Sequence, residues 1–190
     1  MSLDNQFFYT IEPESLKKIW ENYSKRINGK FDFKELIRAH VNGPFYTYKI
    51  HSELERYELI IKQTVYIIPG GNDRPTLQEY TLSKETNEKI YFRIWKKGFF
   101  EKIVGLNKVN TGNSEIDRKF SLKTNCRKLE ELFKQNEMLR EMLTSSNYHF
   151  LMETRNRVLN ITLKRMGIVK SEKDFEKDIE ILRLILNKMK

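Results

Sequence analysis

Apolar residues in the first part of the chain recur at steps of three and four, which is the spacing of one face of an α-helix. This pattern predicts a helix from about Pro13 to Ile27. Proline suits the first helical turn, and Asn28-Gly29 supplies the left-handed geometry that ends a helix. A shorter helix is predicted over Phe33 to Ala39.

The same spacing returns in the last third of the chain. A helix is predicted after Thr124 or Asn125, either of which can cap it, with a break near Asn136. A final helix is predicted after Ser171, because Ser171 and Asp174 have the spacing of a capping box, with Asp in place of the usual Glu or Gln.

Between these helices the period changes to two, which is typical of β-strands. Five segments rich in β-branched and aromatic residues predict strands: Phe45–His51, Tyr57–Ile68, Leu77–Ser83, Ile90–Lys97 and Ile116–Thr124. Residues from His149 to Arg165 are predicted to form a β-hairpin that turns at Arg155-Asn156-Arg157. The alternation of apolar and polar residues favours an antiparallel sheet with one face in solvent.

Runs of strands separated from helices indicate the α+β class rather than an alternating parallel sheet. We therefore predict an N-terminal helix, an antiparallel sheet of about five strands, a helix, a β-hairpin and a C-terminal helix. The 190 residues are interpreted as a single domain, 1–190, because this length is typical of one domain and no long linker separates two cores.

Composition places the chain among globular proteins, since 39% of its residues are hydrophobic and 32% are charged. No stretch approaches the roughly 18 apolar residues of a membrane helix, so no membrane span is predicted. The single cysteine, Cys126, has no partner for an internal disulfide, which favours a reducing compartment, and we expect a cytoplasmic protein. Residues 1–3 look like an expression-vector leader and are given no function.

The net charge of +9 is unevenly distributed along the chain. Residues 1–90 contain 13 Lys/Arg and 13 Asp/Glu, whereas residues 91–190 contain 22 and 13, so the whole excess lies in the second half. Within it, residues 91–128 contain 10 basic and 3 acidic residues. A basic excess favours anionic partners such as nucleic acid or a lipid headgroup surface, although it also serves solubility.

Residue types that carry enzyme chemistry are widely separated in the sequence. The three histidines are His40, His51 and His149. None has a His or Cys partner at metal-ligand spacing, so we predict no metal site, no cofactor site and no catalytic residue. An enzyme of unrecognised type would need distant groups, such as Cys126, His149 and Glu115, to meet in a cleft.

One basic and aromatic constellation does predict binding chemistry. If Ile90–Lys97 and Ile116–Thr124 are neighbours in the sheet, one face carries an anion-binding stripe interleaved with Tyr91 and Trp95. The stripe consists of Arg93, Lys97, Lys119 and Lys123. Such a surface is equipped for phosphates and stacked bases. The alternative is a solvated sheet face with two aromatic residues under a covering element.

A short motif between Asn110 and Asn125 resembles an uncharacterised bacterial domain family of unknown function. The motif is a Thr-Gly pair, an acidic residue followed by a hydrophobic-Asp pair, and a Phe ahead of a strand and a leucine-rich helix. Its residues here are Thr111, Gly112, Asp117 and Phe120, with Ile116 where the family commonly has Phe. The resemblance covers roughly residues 57–190 and implies the same fold order without an established activity. A structural role is expected, with Thr111 and Asp117 locking the loop and Phe120 anchoring the strand.

These observations favour a non-enzymatic module that binds another macromolecule or assembles with itself as a homo-oligomer. The absence of catalytic motifs and the apolar seam of the last predicted helix motivate this hypothesis. Binding of nucleic acid or another polyanion through the basic face of residues 91–128 is the alternative, and an unrecognised enzyme is the third possibility. All rest on the expectation that strands pack on helices to form a compact body rather than a reaction centre. A bound metal, a nucleotide or a buried acid–base cluster inside that body would overturn the expectation.

Overall fold

The computed structural model describes residues 12–37, 44–66, 76–96, 114–144 and 148–189, and the structural statements below concern these residues. Its helices are α1 (Pro13–Arg26), α2 (Ser114–Lys119), α3 (Arg127–Gln135), α4 (Glu137–Thr144) and α5 (Glu172–Met189). Its strands are β1 (Lys30–Ile37), β2 (Pro44–Leu54), β3 (Tyr57–Tyr66), β4 (Leu77–Glu85), β5 (Tyr91–Lys96), β6 (Phe120–Thr124), β7 (Tyr148–Arg155) and β8 (Val158–Met166). The predicted α+β class is confirmed.

All eight strands belong to one antiparallel sheet in the order β1-β2-β3-β4-β8-β7-β5-β6. The prediction of about five strands is therefore too small. The hairpin β7–β8 is part of the sheet, because β8 pairs with β4 and β7 pairs with β5. The apolar sides of β7 and β8 complete the buried face of the sheet between β4 and β5. The hairpin is therefore part of the sheet rather than a separate element.

Helices cover one face of this sheet. The buried cluster on that side takes side chains from every strand after β1 and from four helices, including Trp20 of α1, Phe133 of α3, Leu139 of α4 and Phe175 of α5. Phe175 stacks on Tyr23 at 4.3 Å between ring centroids and meets the edge of Trp20 at 5.0 Å. Aromatic contacts therefore join the first and last described helices over the sheet.

The opposite face of the sheet, which we call the open face, carries the alternate side chains of each strand. In β3, Leu59 and Ile61 are buried toward the helices, whereas Lys62 is exposed on the other side. Across the central strands the open face is mostly polar: Lys49, Lys62, Glu79, Thr81, Thr162 and Lys164. This division matches the alternation of antiparallel sheets with one solvated face.

The helix predicted over Phe33 to Ala39 is wrong for the part that the structure describes. Residues Lys30–Ile37 form β1, the edge strand, and residues 38 and 39 lie outside the described residues. The register places Phe31 beside Ile50 and Phe33 beside Tyr48, so both rings join the covered face. Pairing with β2 outweighs the weak local preference for a helix.

The strand predicted over Ile116–Thr124 is also partly wrong. Residues Ser114–Lys119 form α2, and β6 begins only at Phe120. Ile116 and Phe120 are four residues apart, a spacing that places two residues on one face of a helix and equally on one side of a strand. The apolar pattern alone therefore does not separate the two structures here.

The cap predicted for α3 at Thr124 or Asn125 is wrong, because its N-cap is Cys126, which makes no side-chain cap, while Thr124 accepts a hydrogen bond of 3.0 Å from the backbone N–H of Cys126. Two other predicted boundaries are confirmed. The break near Asn136 separates α3 from α4, and the Asn136 side-chain oxygen accepts a hydrogen bond of 2.8 Å from the backbone N–H of Leu139. At the start of α5, Asp174 accepts hydrogen bonds from the backbone N–H groups of Lys170 and Ser171 at 2.8 and 3.0 Å. The shorter Asp side chain therefore performs the task expected of Glu in a capping box.

Candidate anion-binding face

Strands β5 and β6 are neighbours, as the predicted basic stripe requires. Arg93 and Lys123 are direct cross-strand partners, and both side chains are exposed on the open face. The Lys123 ammonium lies 5.9 Å from the centroid of the Tyr91 ring, which is within the range of a cation–π contact. This corner of the sheet thus combines two cations with an aromatic ring.

The remaining members of the predicted stripe are placed differently. Lys119 is the last residue of α2 and is exposed, so it does not belong to the sheet face. Lys97 lies outside the described residues. Trp95 belongs to β5 opposite Ser121, although only its backbone is described. Of the three predicted cations that the structure describes, it therefore joins two, Arg93 and Lys123.

The hairpin adds two further basic side chains that the sequence analysis did not assign to this face. His149 of β7 and Lys164 of β8 are direct cross-strand partners on the open face. Arg93 is paired with Leu151, which lies two residues after His149 and shares its side of β7. The alternation of polar residues in the hairpin already placed these two side chains on one face. An alternation of period two does not, however, specify which strands become neighbours.

Together these side chains form what we call the basic track, which consists of Lys123, Arg93, His149 and Lys164. The track crosses the four neighbouring strands β6, β5, β7 and β8. With about 4.8 Å between neighbouring strands, it spans about 14 Å. The four basic side chains therefore form a diagonal band across the open face.

Electrostatics along the track are dominated by positive charge. Burial, Arg93 and Lys164 together lower the pKa of His149 below its usual value, as expected when a neighbouring charge is positive. Glu153 is the one carboxylate at the described open-face positions of β5 to β8, and Arg155 binds it at 2.9 Å. From β4, Glu79 approaches Lys164 at 3.4 Å. The band therefore keeps a positive excess.

A buried acid–base cluster lies on the other side of these strands, contrary to the expectation stated above. Asp178 of α5 is 0% exposed. Tyr80 donates a hydrogen bond of 2.7 Å to its Oδ2 atom, and Tyr148 donates one of 2.8 Å to Oδ1. The Nε atom of Arg165 lies 3.2 Å from Oδ2, and its Nη2 atom donates to Gln78 at 2.9 Å.

The bonding of this cluster supports a structural role rather than a reaction centre. Both carboxylate oxygens are occupied by the protein's own donors. Burial raises the pKa of Asp178, while Arg165 and the hydrogen bonds from Tyr80 and Tyr148 oppose that rise. Because a buried carboxylate needs such partners to remain in the core, the cluster fastens α5 to β4, β7 and β8.

This cluster also lies directly behind the basic track. Tyr148 and Arg165 are cross-strand partners that adjoin His149 and Lys164 in sequence. Successive residues of a strand point to opposite faces, so the same two backbone segments carry the buried pair on one side and the basic pair on the other. The anchored backbone therefore holds the two basic side chains in register.

The other predicted residues take separate positions. Thr111 and Gly112 lie outside the described residues, Asp117 is half-buried in α2, and Phe120 begins β6 and packs against the buried cluster of the sheet. In the proposed enzyme constellation, Cys126 packs against that buried cluster, whereas His149 projects from the open face. Glu115 belongs to α2, and its side chain is not described. Within the described part of the chain, no three His, Cys, Asp or Glu residues form a group that could hold a metal.

A groove of about 490 Å³ lies at the end of the sheet where β4 leads to β5 and β7 turns into β8. Its polar side chains mostly close turns. The backbone N–H of Ile90 donates to Thr154, and Asn125 accepts from the N–H of Tyr91 and donates to the carbonyl of Lys89. These hydrogen bonds hold the chain where it reverses between strands. The groove is therefore the space between these turns.

Comparison of the chain with known protein families, curated proteins and solved structures finds no match. The resemblance to an uncharacterised bacterial domain family therefore stays a prediction. Of the described helices, none is long and apolar enough to span a membrane.

Proposed function

We propose that this protein is a non-enzymatic binding module whose open face holds the phosphate backbone of a nucleic acid. The observation that carries the proposal is the basic track, in which Lys123, Arg93, His149 and Lys164 occupy four neighbouring strands of a half-solvated sheet. The chain's whole charge excess lies in residues 91–190, the half that contributes all four side chains.

The dimensions of the track suit an extended polyanion. Each strand of a DNA duplex carries one phosphate per 3.4 Å or so, so a band of about 14 Å faces up to about four phosphates. Tyr91 adds an aromatic surface beside Lys123, and base stacking on such rings tolerates any sequence. The chemistry therefore favours contact with the backbone without base-specific recognition.

Self-assembly, which the leading hypothesis from the sequence included beside binding of another macromolecule, receives less support from the fold. One motive for it was the apolar seam of the last helix. In the structure this seam is buried in the protein's own core: Phe175, Ile179, Ile181, Leu182, Ile185 and Leu186. A side chain already packed against the sheet contributes nothing to a second copy, so α5 offers no free helix stripe for assembly.

Binding of a fluorescein-labelled oligothymidylate, measured by fluorescence anisotropy at pH 7.5, tests the proposal. With three charged cations on the track, log Kobs should fall against log salt with a slope of about −2. The double variant Arg93→Ala/Lys123→Ala should have a shallower slope of about −0.7, because one charged contact remains. Lys173→Ala/Lys177→Ala, which removes two exposed cations of α5, is the matched control and should bind like the wild type.

Two outcomes would contradict the proposal. Absence of binding at 20 mM salt would remove it, and so would equal binding by the double variant and the control. Light scattering on the same samples separates the competing hypothesis. A monomer that binds the oligonucleotide supports the open face as the functional surface, whereas a concentration-dependent dimer that ignores the oligonucleotide supports self-assembly.

A further inference from the structure

We infer that His149 is a proton-linked phosphate ligand, so that nucleic acid binds the open face more tightly as the pH falls. This inference rests on the proposed function, since it assigns a regulatory role to one member of the same basic track. It goes further because a track of lysines and arginines alone would keep its charge unchanged across the physiological pH range.

The position of His149 supports this role. Its side chain lies between Lys164, its direct partner on β8, and Arg93 on β5, which is diagonal to it through Leu151. His149 is exposed, so a phosphate oxygen can reach the ring. A phosphate that bridges Arg93 and Lys164 therefore lies beside the imidazole.

Charged side chains approach the His149 ring from the neighbouring strands. Lys164 and Arg93 are the cations that face it. Two carboxylates of the neighbouring strands face cations of the same sheet: Glu79 approaches Lys164 at 3.4 Å, and Glu153 approaches Arg155 at 2.9 Å. The lowered pKa of His149 has burial, Arg93 and Lys164 as its causes, and no residue of a helix is among them.

The sign of the pH effect follows from these neighbours. In the free protein, burial and the two cations lower the pKa of His149. A bound phosphate neutralises the cations and accepts a hydrogen bond from the protonated ring, so the pKa rises in the complex. The complex then holds more protons than the free protein between the two pKa values, and affinity must rise as the pH falls through that window.

The experiment measures oligothymidylate affinity by anisotropy from pH 8.0 to 5.5 at constant ionic strength. If binding raises the pKa by about one unit, affinity should increase up to about tenfold toward acid pH. His149→Gln should remove this increase, so that the affinity of the variant stays nearly constant across the pH range. His51→Gln removes a histidine from β2 of the same sheet and should leave the pH profile unchanged.

Titration of the His149 ring by NMR provides a direct second measurement. Its pKa should be higher in the presence of saturating oligothymidylate than in its absence. A wild-type pH profile in His149→Gln, or an unchanged ring pKa, would overturn the inference while leaving the proposed function intact. If the oligonucleotide fails to bind at every pH, both the inference and the proposed function are overturned.

Discussion

Asp178 joins the hairpin β7–β8 to β4, which is distant in sequence, because its carboxylate meets Tyr80 of β4, Tyr148 of β7 and Arg165 of β8. A buried ion pair adds little net stability compared with apolar packing, but loss of one partner leaves the other charged and unpaired in the core. The Nε–H group of Arg165 already lacks a hydrogen-bond acceptor. Arg165 therefore depends on the charge of Asp178.

This dependence gives a prediction for Asp178→Asn, which keeps the shape of the side chain and removes its charge. We expect the free energy of unfolding to fall by about 3 kcal/mol, since Arg165 would retain only Asp174, at 3.5 Å, as a counter-ion. Urea unfolding followed by circular dichroism at pH 7 measures the change.

Asp32→Asn is the matched control for this change. Asp32 lies 3.7 Å from Lys34 in an exposed ion pair, which typically contributes less than about 1 kcal/mol. Equal losses in the two variants would show that the buried cluster does not hold α5 to the sheet. In the double variant Asp178→Leu/Arg165→Met we expect only part of the loss to be recovered, because an apolar pair of similar size needs no counter-charge but leaves the buried Tyr80 hydroxyl without its acceptor.

The sequence indicates some residues of the buried cluster and of the basic track more clearly than others. Asp178 lies three residues after Phe175 and four before Leu182, so helical periodicity places an ionisable group on the apolar side of α5. That conflict was visible in the sequence, but its partners were not, because Tyr80, Tyr148 and Arg165 are brought together only by strand order. Arg93 and Lys123 were predicted to share one face on the condition that their strands are neighbours, and the structure supplies that condition.

At the scale of elements, local signals located the ends of helices better than they distinguished α2 from a strand. Asn136 is an example, because its backbone N–H donates to the carbonyl of Leu132 at the end of α3, whereas its side chain caps α4. In contrast, Ile116 and Phe120 fit either period. The hairpin β7–β8 was recognised by its own alternation, yet its place in the sheet depends on contacts with β4 and β5.

The cap at Asn136 gives a prediction for the α3–α4 junction. Asn136→Ala removes the acceptor of the Leu139 N–H and should lower the free energy of unfolding by about 1 kcal/mol. Asn136→Asp should restore most of this stability, because Asp is an equally good cap. Gln135→Ala, at the exposed preceding position, should change stability by less than about 0.5 kcal/mol. A loss in Asn136→Asp as large as in Asn136→Ala would contradict capping as the cause.

At the scale of the whole molecule, the order of strands determines which parts are held from both sides. The centre of the sheet is β4 and β8, which pair with each other and with β3 and β7. The outer strands are β1 and β6, each of which has one described neighbour. Because β4 and β8 are about 75 residues apart in sequence, the centre closes only when distant segments meet, which favours slow folding.

Hydrogen exchange tests this arrangement. Amides of β4 and β8 that donate into the sheet should exchange only through global unfolding, because both strand edges and the helix-covered face are occupied. Donating amides of β1 and β6 should exchange at least about tenfold faster, because fraying of an edge breaks a single ladder. Mass spectrometry with peptide resolution at pH 7 measures the difference. Uniform protection from β1 to β6 would contradict it, and faster exchange in β7 and β8 alone would indicate that the inserted hairpin opens independently. In that case the Asp178 cluster would not anchor the backbone that presents His149 and Lys164, and the basic track would need a nucleic acid to order it.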